Sequence, residues 1–167
     1  MASEATRAAR ARRANKLFPA HWVDVTLDPA AALEFARAAM AAQHFTPHGA
    51  VSNGVWMFRY GTPVDDFFSD VLGLSLIYRL FGRSDEYARI AVWTEALPAG
   101  TRLTVSLLTG LSQAPAVHKA ISELIASLSI AGVVLQVGEP FSGLDLPSAS
   151  PGQPFPRRRA RQEAKGR

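Results

Sequence analysis

Arg157, Arg158, Arg159 and Arg161 place four guanidinium groups within five residues near the C-terminus. A guanidinium offers a planar fork of donors that meets phosphate or carboxylate oxygens in parallel hydrogen bonds, and each phosphate contact releases counterions. Arg12 and Arg13, with Arg7 and Arg10 nearby, make a looser cluster at the other end. Both runs point to contact with a polyanion. Nucleic acid leads that class, ahead of an anionic lipid surface or an acidic protein. Phe155 is the aromatic neighbour of the C-terminal run, too little stacking material to read single strands selectively. The plainer reading of such runs is a solvated, disordered terminus that aids solubility.

Other chemistries find less material. His44 and His48 are four residues apart, but Pro47 lies between them and breaks the helical spacing a metal pair needs. His21 and His118 complete the histidines, and the chain has no cysteine. No metal and no cofactor are expected. Asp65, Asp66 and Asp70 cluster around a helix start, where acids at the first turn answer the helix dipole. No nucleophile elbow occurs, because Gly73-Leu74-Ser75-Leu76 lacks the second glycine. Phosphate loops of the P-loop kind need a lysine after the second glycine, and the lysines are Lys16, Lys119 and Lys165. The chain is therefore read as non-enzymatic. Absence of cysteine excludes disulfides and thiolate sites and suits a reducing, cytoplasmic compartment. The uncharged stretch Leu124–Gly138 is broken by Gly132 and falls short of the roughly 20 apolar residues a membrane span requires. No apolar core follows the N-terminal arginines, so no secretory signal is expected.

The charge pattern divides the chain. Residues 1–16 carry net +4 and residues 151–167 net +5, so in a chain of net +4 the middle, 17–150, carries −5. Three regions are expected: a basic tail at 1–16, a single domain at 17–138, and a Pro/Gly linker with an arginine-rich tail at 139–167. Pro140, Pro147, Pro151, Pro154 and Pro156 mark that linker.

Periodicity supplies the elements of the domain. His21–Leu27 alternates at period two and reads as a strand. Asp28-Pro29 then starts a helix to about Gln43, with Leu33, Ala36 and Met40 inward. Asn53-Gly54 marks a hairpin within Phe45–Tyr60, with Pro47 at an edge. Thr62-Pro63 opens another helix. Tyr87–Leu97 and Thr101–Thr109 pair across Pro98-Ala99-Gly100, with Ile90 and Val92 on one face and Ala91 and Trp93 on the other. Val117, Ile121, Leu124, Ile125 and Leu128 stripe a last helix that Gly132 stops. Val133–Val137 adds a short strand. The sum is an α+β fold: a mostly antiparallel sheet, two hairpins plus an N-terminal strand, with helices packed on one face and basic tails.

Two further surfaces matter for function. Phe67–Phe81 is almost uncharged and serves either as core or as a surface for a protein partner or a second copy. The layout of hairpins closed by a C-terminal helix loosely resembles helix-grip domains. That resemblance implies an apolar-ligand pocket between the last helix and the sheet, lined by Trp56, Phe58, Trp93 and Leu124. The leading expectation is a non-enzymatic binding or assembly domain. It docks a protein partner or itself, and its arginines contact an anionic surface.

Overall fold

The computed structural model describes residues 17–48, 54–61 and 87–165. The N-terminal tail with Arg12 and Arg13, the hairpin turn before Gly54, Asp65, Asp66 and Asp70, and the Phe67–Phe81 segment lie outside the described residues.

Strand β1 (Pro19–Val25) leads into helix α1 (Pro29–Ala42). The Asp28 carboxylate accepts from the amides of Ala30 and Ala31, both at 3.0 Å. Pro29 fills a first-turn position where no amide is needed. A cap of this kind contributes about 1 kcal/mol. Ala32, Leu33, Ala36 and Met40 are buried, and Arg37 pairs with Glu34 on the outer face at 2.7 Å. Strand β2 (Thr46–Pro47) pairs with β3 (Val55–Tyr60), which pairs with β4 (Ala88–Leu97), which pairs with β5 (Gly100–Thr109). Pro47 lies on the edge strand, where its missing amide costs no ladder bond. A short 3-10 turn (Leu111–Gln113) precedes helix α2 (Ala114–Ile130). Strand β6 (Val134–Val137) and the two-residue β7 (Phe141–Ser142) follow.

All pairings among the described strands are antiparallel, and the order across the sheet is β2-β3-β4-β5-β1-β6, with β7 also on β1. Both long helices cover one face. Val23, Val25, Phe58, Ile90, Val92, Leu103, Val105 and Leu107 of the sheet meet Val117, Ile121, Leu124 and Leu128 of α2 and the inner face of α1 in one core. Each such fully buried aliphatic or aromatic side chain stabilises the fold by roughly 1.5–3 kcal/mol. The turn from β5 into α2 depends on Gly110, which has φ +84°. A Cβ there would stand 2.4 Å from the Tyr87 carbonyl oxygen.

The C-terminal stretch departs from the linker reading. Phe141–Ser142 adds to β1, a 3-10 turn follows at Gly143–Asp145, and the chain then crosses the sheet face opposite the helices. Ser142, Gly143 and Gln153 are buried. The Ser106 hydroxyl donates to the Gly152 carbonyl at 2.8 Å, and the Gln153 amide donates to the carbonyls of Leu144 and Leu146. These side-chain bonds replace the ladder bonds that a proline-rich segment cannot make. Residues 146–155 thus form a strap, and the folded body reaches well past residue 138. Helix α3 (Pro156–Lys165) follows it and carries the arginine cluster. None of the described helices is long and apolar enough to cross a membrane.

Candidate functional site

Helix α3 buries no apolar stripe: it carries five basic residues, Arg157, Arg158, Arg159, Arg161 and Lys165, and the single acid Glu163, and its apolar positions Pro156, Ala160 and Ala164 are small and exposed. Such a helix has no apolar stripe to hold it and depends on its ends and its pairs. Pro156 supplies a pre-set first turn. Just before it, Phe155 meets Phe18 edge-on, with ring centroids 5.5 Å apart. Glu163 reaches back to the strap, accepting from the Ser148 hydroxyl at 2.6 Å and the Ser148 amide at 3.1 Å. Arg159 Nε donates to the same carboxylate at 3.2 Å. The Ser148 bonds, and then Arg159, hold the Glu163 carboxyl below the usual carboxylate range.

This clamp sorts the arginines. Arg159 is spent on Glu163, half-buried beside it. Arg157, Arg158 and Arg161 are exposed and, with Gln162, line one open concave surface. The pairs 157/161 and 158/162 are one helical turn apart, so three guanidinium groups share a patch. Arg157, Arg158 and Arg159 also occupy the first turn, which contains no acid. That end carries the positive pole of the helix dipole. Mutual repulsion and the dipole both disfavour the bare helix, and an anion seated there relieves both.

The set Trp56, Phe58, Trp93 and Leu124 does not converge on a pocket. Phe58 and Leu124 are fully buried core contacts, and Trp56 stacks on Phe58 on the same side. Trp93 is on the opposite face, because strand alternation sends it away from Val92.

The opposite face holds polar groups not singled out from the sequence. Across β4, β5 and β1 the register aligns Glu95, Arg102 and Asp24 in one row and Trp93, Thr104 and Trp22 in the next. Arg102 makes a bidentate pair with Asp24 at 2.8 and 2.9 Å, and its guanidinium lies 4.0 Å over the Trp22 ring. The Asp24 hydrogen bond and charge, with Glu95 adding, raise the Arg102 pKa further. The Trp93 indole donates to Glu95 at 3.2 Å. Period-two alternation was the available signal: Asp24, Arg102 and Glu95 all take the face opposite to the apolar positions of their strands. His21 Nε2 is tied to the Gly138 carbonyl at 2.7 Å. Among the described residues no three His, Asp or Glu side chains gather as a metal site would require.

No protein-family model matches this sequence, and no curated protein or solved structure shows significant similarity to it.

Proposed function

We propose that this chain is a non-enzymatic binding module whose arginine helix docks on a polyanion, nucleic acid foremost. The observation that carries the reading is the sorting of charge on α3. One arginine is neutralised by Glu163, while Arg157 and Arg158 stand at the positive end of the helix dipole and Arg161, one turn on from Arg157, joins them in one exposed patch. A phosphate backbone supplies the missing negative charge at a spacing that several guanidinium groups can meet at once. Gln162 is the uncharged member of the patch, and among the described residues no aromatic side chain lines it. The contact is accordingly to backbone rather than to bases. Arg12 and Arg13 extend the same chemistry in the sequence at the other end of the chain, and the nearly uncharged run Phe67–Phe81, where it is not spent on the core, is the proposed contact for a protein partner or a second copy. The cysteine-free composition suits a cytoplasmic setting.

Fluorescence anisotropy with labelled duplex DNA, a structured RNA and polyglutamate tests the reading. The full chain is expected to bind both nucleic acids more tightly than polyglutamate. The triple variant Arg157→Ala, Arg158→Ala, Arg161→Ala should lose about tenfold or more of that affinity, and Arg159→Ala should lose less. Undiminished binding by the triple variant would overturn the proposal, as would a preference for polyglutamate.

A further inference from the structure

Among the described residues, the face of the sheet opposite the helices is only partly covered. The strap closes over its lower row, where Gly152 and Gly143 pack against Ser106. Above that row an open cleft of about 430 Å³ remains. Its floor is Trp22, Thr104 and Trp93, its wall is the strap from Leu146 to Pro151 with Phe141, and its rim is Arg102 and Glu95. The volume falls in the lower part of the range in which small-molecule sites occur, roughly 300–1,000 Å³.

Charge and stacking geometry decide what this cleft accepts. Arg102 stands between two carboxylates, Asp24 and Glu95, on adjacent strands. The row is therefore net negative and does not draw an anion. A small organic cation would seek an indole face, but those faces are taken. Arg102 lies over Trp22, and Gly138 packs so closely on that ring that a Cβ would sit 2.2 Å from it. Trp93 is only 5% exposed, and Gly152 packs against the outer rim of its six-membered ring, with a Cβ position 2.4 Å from it.

What remains is a set of fixed hydrogen-bonding groups beside apolar walls. Arg102 spends two of its N–H groups on Asp24 and holds the rest at the rim. Glu95 is oriented by the Trp93 indole through one oxygen, which leaves the other as an acceptor. A donor and an acceptor stand on paired positions of neighbouring strands, and Leu146, Pro147, Pro151 and Phe141 offer apolar contact alongside. That combination complements adjacent hydroxyl groups on a compact carbon frame.

We propose that this cleft binds a neutral, polyhydroxylated ligand, a saccharide of roughly one or two rings. It is a site separate from the arginine helix, and neither proposal depends on the other. The three tryptophans make the test specific, because Trp22 and Trp93 line the cleft while Trp56 lies on the core side. The indole N–H resonances of the ¹⁵N-labelled full chain are followed during titration with glucose, N-acetylglucosamine and cellobiose, and in parallel with inorganic phosphate and tetramethylammonium.

Saturable shifts of the Trp22 and Trp93 signals are expected with at least one saccharide, with Trp56 unmoved. Glu95→Ala, at an exposed position, should weaken that binding about tenfold or more, the worth of a hydrogen bond to a charged group. An unshifted Trp56 signal in the variant reports that the core is intact. Shifts with phosphate or tetramethylammonium in preference to every saccharide would overturn the proposal, as would no shift with any saccharide or full affinity in Glu95→Ala.

Discussion

Thr101 has a fully buried hydroxyl with no hydrogen-bond partner, the one such side-chain atom among the described residues. A buried polar group without a partner forfeits its hydration and receives nothing in return. Valine has the same shape and prefers strands. Thr101→Val is expected to raise stability by about 1 kcal/mol, read as a higher urea midpoint with unchanged slope. A fall in the midpoint would show that the hydroxyl has a partner after all. The neighbouring Arg102 shows the opposite arrangement: two hydrogen bonds to Asp24 and an indole beneath it hold the guanidinium in place. The role of Arg102 was legible only in part. Strand alternation put it on the polar face, but its pairing with Asp24, 78 residues away, depends on which strand lies beside β5. Local pattern carries no record of that.

Among the elements, the strap and α3 act together. Gly152 is the pivot: a Cβ there would fall 2.4 Å from the Trp93 ring and 2.8 Å from the Ser106 Cβ. Gly152→Ala is expected to lift the strap at a cost of about 1–3 kcal/mol, seen as a red shift in tryptophan emission. An unchanged spectrum and midpoint would contradict the packing described. The second joint is Ser148–Glu163, which ties α3 to the strap. The Glu163 carboxyl is held below its ordinary pKa, so its contribution is present above the ordinary carboxylate range and is lost as pH falls through the lowered value. Helix α3 is expected to detach progressively on acidification, followed by amide exchange at Ser148. Glu163→Gln should abolish that pH dependence, and a pH profile identical to that of the parent chain would rule the joint out. The sequence concealed these joints for a physical reason. Proline and glycine usually mark chain that stays away from structure, whereas here they let the chain lie flat and close against the sheet. The anchors come from Ser106 and Gln153, which leave no local periodicity.

At the scale of the molecule, one sheet separates two different surfaces. One face is sealed by α1 and α2 into the core, and that half was legible, because period two in β4 and β5 and the stripe of α2 name the buried residues directly. The four side chains expected to line a helix-grip pocket do not share one face: Phe58 and Leu124 are buried in the core, whereas Trp93 turns to the other side of the sheet. Charge is divided as well: residues 17–150 sum to −5 and residues 151–167 to +5. The arginine patch is therefore presented by an acidic body, which discourages close approach of a phosphate chain except at the patch itself. Binding should accordingly be local and strongly dependent on salt. The decisive measurement is the salt dependence of duplex DNA affinity for the full chain and for the Arg157→Ala, Arg158→Ala, Arg161→Ala variant. Removing one arginine–phosphate pair should flatten the slope of log K against log salt by about 0.9. A slope reduced by roughly 2–3 is expected in the triple variant, and equal slopes for the two proteins would contradict docking through the arginine patch.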